Sequence, residues 1–207
     1  MNYHADPERE RLADQYISGK GLEIGALCHP LKTKANVRYI DRFDVYGLHD
    51  QYPDIPTNIM CPVDLTCDGE TLNKFANEVE DFIIANHFLE HCKNPILTVK
   101  NWLRVLKKDG VIFCAVPHKD ECFDRDRETT TWEHVLEEYK SGFTNDEQHY
   151  KENGVDPATN YSIHYHCWDE KAIHDFWEHI CQILSCKVEE SIYNPLRQEF
   201  IYIVRKI

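Results

Sequence analysis

Histidine, aspartate and arginine crowd one part of the chain. The stretch "HKDECFDRDRETTTWEH" puts His118, Asp124, Arg125, Asp126, Arg127 and His134 within 17 positions, and "SIHYHCW" adds His164 and His166. Imidazoles titrate near neutrality and suit proton transfer. Arginine forks suit the capture of a carboxylate or phosphate. The stretch reads either as a solvated loop with internal ion pairs or as a lid over a substrate. As a lid, it offers His118, His134 or His166 as a base, with Asp124 or Asp126 orienting the ring. Arg125, Arg127 and His164 would hold the substrate. His164 and His166 alternate and would share a face if the segment is extended. A metal could take three ligands from His118, Asp124, His134, His164 and His166. No tight H-x-x-x-H spacing occurs among them, and no metal is expected.

A second set of residues follows apolar runs. "LEIGALCHPL" carries Glu23, Gly25 and Ala26. "NVRYID" ends on Asp41. "DLTCDGETL" contains Asp64, Asp68 and Gly69. "ANHFLEH" supplies Asn86, His87, Glu90 and His91. The last two also suit the floor of a site or the start of a helix, where an acidic residue favours the dipole.

These residues need elements to position them. A first helix is expected from an Asp6 cap and Pro7, with Leu12, Tyr16 and Ile17 apolar, ending before Gly19. Strands are expected at "GLEIG", at Asn36 to Asp41, within "TNIMCPVDL", at Asp81 to Asn86 and at Gly110 to Val116. Continuous apolar runs of this kind suit a parallel sheet buried on both faces. Asn94-Pro95 opens a helix carrying Ile96, Val99, Leu103 and Leu106, closed by Lys107, Lys108 and Gly110. Asp169 caps another, with Ile173, Phe176, Trp177 and Ile180 on one stripe. "CQILSCKVEESIY" and "EFIYIVRKI", joined by "NPLRQ", predict an antiparallel hairpin at the sheet edge. The pattern is doubly wound α/β: a mostly parallel seven-stranded sheet with a C-terminal antiparallel hairpin. It is expected to form one domain over 1–207, with a lid-like insert at 118–168 after the fifth strand. Ligands of such sheets bind outside the C-terminal strand ends, where the second set of residues falls.

Composition narrows the function. With 207 residues, 42% hydrophobic and 29% charged, the chain suits a single folded core. No apolar run nears the roughly 20 residues of a membrane span. The polar, acidic first 20 residues resemble no signal peptide, so a cytoplasmic protein is expected. A net charge of −13 disfavours nucleic acid and anionic membranes as partners. The nine cysteines form no C-x-x-C pair and read as small core residues.

In order, "LEIGA", Asp41, "CDGETL" and "DFIIANHFLEHCKNPILTVKNWLRVLKKDGVIFCAVP" resemble the blocks of class I S-adenosylmethionine-dependent methyltransferases. The resemblance covers about residues 25–117. It implies that Glu23, Gly25 and Ala26 line the methionine end of the cofactor. Asp41 would accept the ribose hydroxyls. Asp68, or Asp64, would take the adenine amino group beside Gly69. Asn86 and His87 would lie under the sulfonium. The chain departs from the family's G-x-G-x-G by keeping only Gly25. The cofactor has no phosphate for further glycines to cradle, and a dinucleotide is disfavoured. "FDRDRETTTWEH" and "HYHCW" resemble a narrower group of bacterial domains that accompany surface-glycan assembly. The reaction implied is O-methylation of a small polar or glycan-type acceptor, leaving S-adenosylhomocysteine. A phosphate-type or carboxylate acceptor on the insert arginines, or a non-catalytic cofactor-binding module, are the alternatives.

Overall fold

The computed structural model describes residues 6–143, 146–159 and 162–207, so positions 144–145 and 160–161 of the expected insert lie outside it. Seven strands form one sheet: β1 (Lys20–Ile24), β2 (Asn36–Asp41), β3 (Leu65–Thr66), β4 (Glu80–Asn86), β5 (Leu106–Pro117), β6 (Cys186–Asn194) and β7 (Glu199–Lys206). Their order is β3-β2-β1-β4-β5-β7-β6. The first five run parallel, and β7 lies antiparallel between β5 and β6. The hairpin therefore places its outer arm, β6, at the edge and its second arm inside.

Alternation along each inner strand divides the core. Phe82, Ile84, Val111, Phe113, Ile201 and Ile203 face helix α1 (Pro7–Tyr16), which contributes Leu12 and Ala13. Ile83, Ala85, Ile112 and Cys114 face the other way. There they meet Trp102 of α3 (Pro95–Val105) and Phe176 and Trp177 of α6 (Glu170–Ile183). The caps are those expected. Asp6 accepts from Arg9 N–H, Asn94 from Leu97 N–H and Asp169 from Ala172 N–H. No helix among the described residues is long and apolar enough to cross a membrane.

Three expectations need correction. Helix α3 stops at Val105, and Lys107, Lys108 and Gly110 belong to β5. Leu106 pairs with Glu80 and Val111 with Phe82, so the residues between them bulge, and Lys107 bonds Asp81 at 2.6 Å. The strand within "TNIMCPVDL" shrinks to Leu65–Thr66, and Thr57–Ile59 is a 3-10 turn after Pro56. Glu90 and His91 sit in the 3-10 turn Leu89–His91, separate from α3.

The insert is partly helical. Its α4 (Trp132–Ser141) packs on α3 and α6, and α5 (Asp146–Glu152) follows. The segment after α5 returns to the sheet: His166 N–H donates to Glu90 O at 3.1 Å.

Candidate active site

A cavity of about 960 Å³ lies at the C-terminal ends of β1, β2 and β4. Each element delivers its residues by ending there. After β1, Gly25 turns at φ +66°, a conformation glycine adopts without strain, and Ala26 follows in the wall. Glu23 is buried behind them. Its Oε1 accepts from Leu31 N–H at 2.9 Å, and Oε2 has no hydrogen-bond partner among the described residues. Burial pushes its pKa up to about 7, against the Leu31 bond and Arg9.

Asp41 closes β2. Its Oδ1 accepts from Arg42 N–H at 2.7 Å, leaving Oδ2 outside that bond. Burial also raises its pKa, against the amides of Phe43 and Arg42. The chain then enters α2 (Val45–Gln51), capped by Asp44, and Leu48 and Gln51 join the wall. Asp68 Oδ1 receives Glu70 N–H at 2.8 Å and so folds its loop. Gly69 lies where a Cβ would stand 2.4 Å from Ile24 Cγ2 and 2.6 Å from Phe88 Cζ. Its carbonyl receives Trp102 Nε1–H at 2.8 Å, which ties the loop to α3. At the end of β4, Asn86 Oδ1 and Nδ2 are both buried with no hydrogen-bond partner among the described residues.

The opposite wall is histidine and arginine. His87, at φ +52°, holds a left-handed conformation uncommon outside glycine. Its Nε2 donates to Glu199 Oε2 at 2.8 Å, and Nδ1 stands 3.6 Å from Glu90. Burial lowers its pKa, but the Glu199 bond and the two carboxylates outweigh this, and the net shift is upward. Glu199 is fully buried. It accepts Arg9 Nε–H at 2.7 Å and Asn194 Nδ2–H at 3.0 Å. Arg197 donates to Asp6 at 2.8 Å, so Arg9 and Arg197 are both neutralised, while the third wall arginine, Arg42, lies over the Phe43 ring beside Asp41. His91 Nδ1–H donates to Ile163 O at 2.8 Å, which leaves Nε2 as the acceptor atom of the neutral ring. Burial lowers its pKa, outweighing Glu90 and the Ile163 bond, which raise it.

The cofactor-side residues read from sequence thus meet in one place: Glu23, Gly25, Ala26, Asp41, Asp68, Gly69, Asn86 and His87 all line the cavity, and Asp64 does not. Asp64 Oδ2 accepts Tyr39 N–H at 2.8 Å.

The insert residues fall elsewhere. His118 Nδ1 accepts Asp120 N–H at 3.1 Å, and its ring packs on Phe200. His134 lies against Glu138, and His166 is fully buried. Asp124 orients none of these three. It bonds His164 Nδ1 at 2.6 Å and Arg127 at 2.6 Å. Arg127 also donates to the carbonyls of His164 and Tyr165, while Arg125 is exposed outside the wall. His164 and His166 reach different partners, Asp124 and Glu138. Among the described residues of the insert, only Ser162 lines the cavity.

Sequence reading missed Arg9, Glu199 and Arg197. Arg9 and Glu199 are 190 positions apart, and no local pattern joins them. The available signal was a carboxylate opening the apolar run "EFIYIV".

Fold and site together define a class: Rossmann-like enzymes that bind S-adenosylmethionine at the C-terminal ends of a parallel sheet. The family model described as a methyltransferase domain matches residues 12–179, and the chain belongs to that family. No curated protein sequence matches it. Among solved structures, an S-adenosylmethionine-dependent methyltransferase from Methanosarcina mazei is 16% identical, with 100% of this chain and 99% of that one covered and a TM-score of 0.52. One from Thermotoga maritima is 15% identical over 99% and 88%, with a TM-score of 0.51. The PH0226 protein from Pyrococcus horikoshii is 12% identical over 100% and 94%, with a TM-score of 0.57. At these identities the likeness is one of fold. The chain is an S-adenosylmethionine-dependent methyltransferase.

The cavity residues fit this cofactor. Asn86 presents two orphaned polar atoms, Glu23 presents one, and Gly69 keeps the wall open where a Cβ would clash. When bound, S-adenosylmethionine supplies a methyl group already activated on a sulfonium. Asp41 would hold the ribose hydroxyls, Asp68 the adenine amino group, and Glu23, Gly25 and Ala26 the methionine end.

Proposed function

We propose that the enzyme methylates a hydroxyl oxygen of a small polar or glycan-type acceptor, with His91 as the general base. The observation that carries this is the Nδ1–H bond of His91 to Ile163 O in the cavity wall. It fixes the tautomer with a lone pair on Nε2, and the lowered pKa keeps the ring neutral at pH 7. His87 is the positioning partner. Glu199 and Glu90 favour its cationic form, so it orients and donates.

An anionic acceptor is less well supported. Arg125 and Arg127 lie outside the wall, Arg9 and Arg197 already serve Glu199 and Asp6, and Arg42 lies over Phe43 on the cofactor side beside Asp41. The polar groups of the acceptor side, including Ser162, suit hydrogen bonding to hydroxyls. In this reading, Ser162 flanks the acceptor, and the insert backs the site through the Ile163 carbonyl on His91.

The test separates the two halves of the site. Asp41→Ala is expected to lose calorimetric binding of S-adenosylhomocysteine by tenfold or more. His91→Gln should retain that binding and lower kcat by about 10²–10⁴ with a sugar acceptor. Unchanged kcat in His91→Gln would remove the base assignment.

A further inference from the structure

A second cluster lies inside the insert, apart from the cavity wall. Three imidazoles converge on one carboxylate. His134 Nε2 lies 3.0 Å and His149 Nε2 2.8 Å from Glu138 Oε1, and His166 Nε2 lies 3.5 Å from Oε2. The ligand atoms of His134, Glu138 and His149 all lie within 4.8 Å of one another. The three rings surround the carboxylate mutually, with centroids 5.6, 5.9 and 6.0 Å apart. Glu138, His149 and His166 are buried, while His134 is 42% accessible and offers a path inward.

A carboxylate that accepts imidazole hydrogen bonds accounts for His134 and His149. It does not account for His166. That side chain is fully buried, and neither ring nitrogen has a hydrogen-bond partner among the described residues. Glu138 Oε2, which faces it, also has none. Buried polar atoms are rarely left so. A cation between His166 Nε2 and Glu138 Oε2 would give each of those two atoms a partner.

We propose that His134, Glu138, His149 and His166 form a four-ligand site for a borderline divalent transition metal, with Zn²⁺ as its natural probe. Metal–ligand distances of about 2.0–2.1 Å put the edges of a tetrahedron near 3.3 Å. Glu138 Oε1 stands 3.0 and 2.8 Å from the Nε2 atoms of His134 and His149, close to that length, while His166 Nε2 faces the other oxygen, Oε2, at 3.5 Å and would turn in as the fourth ligand. Imidazole with one carboxylate is a donor set for zinc and its neighbours rather than for Mg²⁺ or Ca²⁺. With four protein ligands the site is closed, which marks it as structural. It joins α4, α5 and the returning segment. That segment carries the Ile163 carbonyl to His91 and the His166 amide to Glu90. A metal here would staple the insert to the flank of the active site.

The full chain, stripped with chelator and dialysed against Zn²⁺, should retain one ion per chain through gel filtration. Loaded with Co²⁺, it should show the intense visible bands of four-coordination. His134→Ala, a change at an accessible position, should weaken Zn²⁺ binding at least tenfold and abolish the rise in Tm on adding Zn²⁺. Glu138→Gln should do the same, and His179→Ala, outside the cluster, should do neither. Weak uptake without saturation by the acidic surface, or equal Zn²⁺ binding by wild type and His134→Ala, would overturn the site. None of these readouts depends on methyl transfer.

Discussion

Gly69 shows how little freedom a single position of the cavity has. An added methyl would meet Ile24 Cγ2 at 2.4 Å and the Phe88 ring at 2.6 Å, and all three residues line the cavity. Gly69→Ala is therefore expected to narrow the site and overpack it. Stability should fall by about 1–3 kcal/mol, and S-adenosylhomocysteine affinity by tenfold or more, measured by urea titration and calorimetry. At this scale the cofactor side was legible. Gly25, Asp41, Asp68 and Asn86 each sit within a short run whose pattern fixes a strand and its exit. The acceptor side was not. His118 and His166 have the right chemistry by type, but a backbone amide occupies one ring and complete burial removes the other. Residue type cannot report a partner that folding supplies.

Helix α1 and the closing hairpin show the same at the scale of elements. Arg9 on α1 and Glu199 on β7 form a buried pair that backs His87. Removing one partner strands the other charge, so Arg9→Met should cost about 3–5 kcal/mol. The pH dependence follows from Glu199. Burial raises its pKa, but His87 and Arg9 outweigh this and hold it at about 2. A depressed carboxylate stabilises fully above its unfolded pKa of about 4.3. That contribution fades as pH falls from there through about 2. Urea midpoints between pH 5 and 2.5 should drop more steeply for wild type than for Glu199→Gln. A parallel slope would remove Glu199 as the source. Element boundaries were legible where a cap marked them, as at Asp6, Asn94 and Asp169. The exit of α3 was misread because two lysines and a glycine also suit a bulged strand entry, where Lys107 meets Asp81.

At the scale of the whole molecule, hydrophobic pattern was enough to predict a doubly wound sheet. Five apolar runs separated by helices leave few topologies, and a short link between two apolar runs forces an antiparallel pair. What it could not report is which arm of the hairpin lies inside. β7 does, with Ile201, Ile203 and Val204 fully buried between β5 and β6. Ile203→Ala should therefore behave as a central core change, costing about 2–5 kcal/mol in urea unfolding rather than the smaller loss of an edge position.

That position of β7 also orders events in time. Chains emerge from synthesis N-terminal part first, so β6 is made before the strand that must lie between it and β5. Until β7 is available, the open edge of β5 presents unpaired amides and carbonyls, a template for pairing with other chains. Glu199 opens that same strand, so His87 and Arg9 also lack their shared partner through this interval. The nascent protein is thus most exposed to misassociation just before its active site is completed.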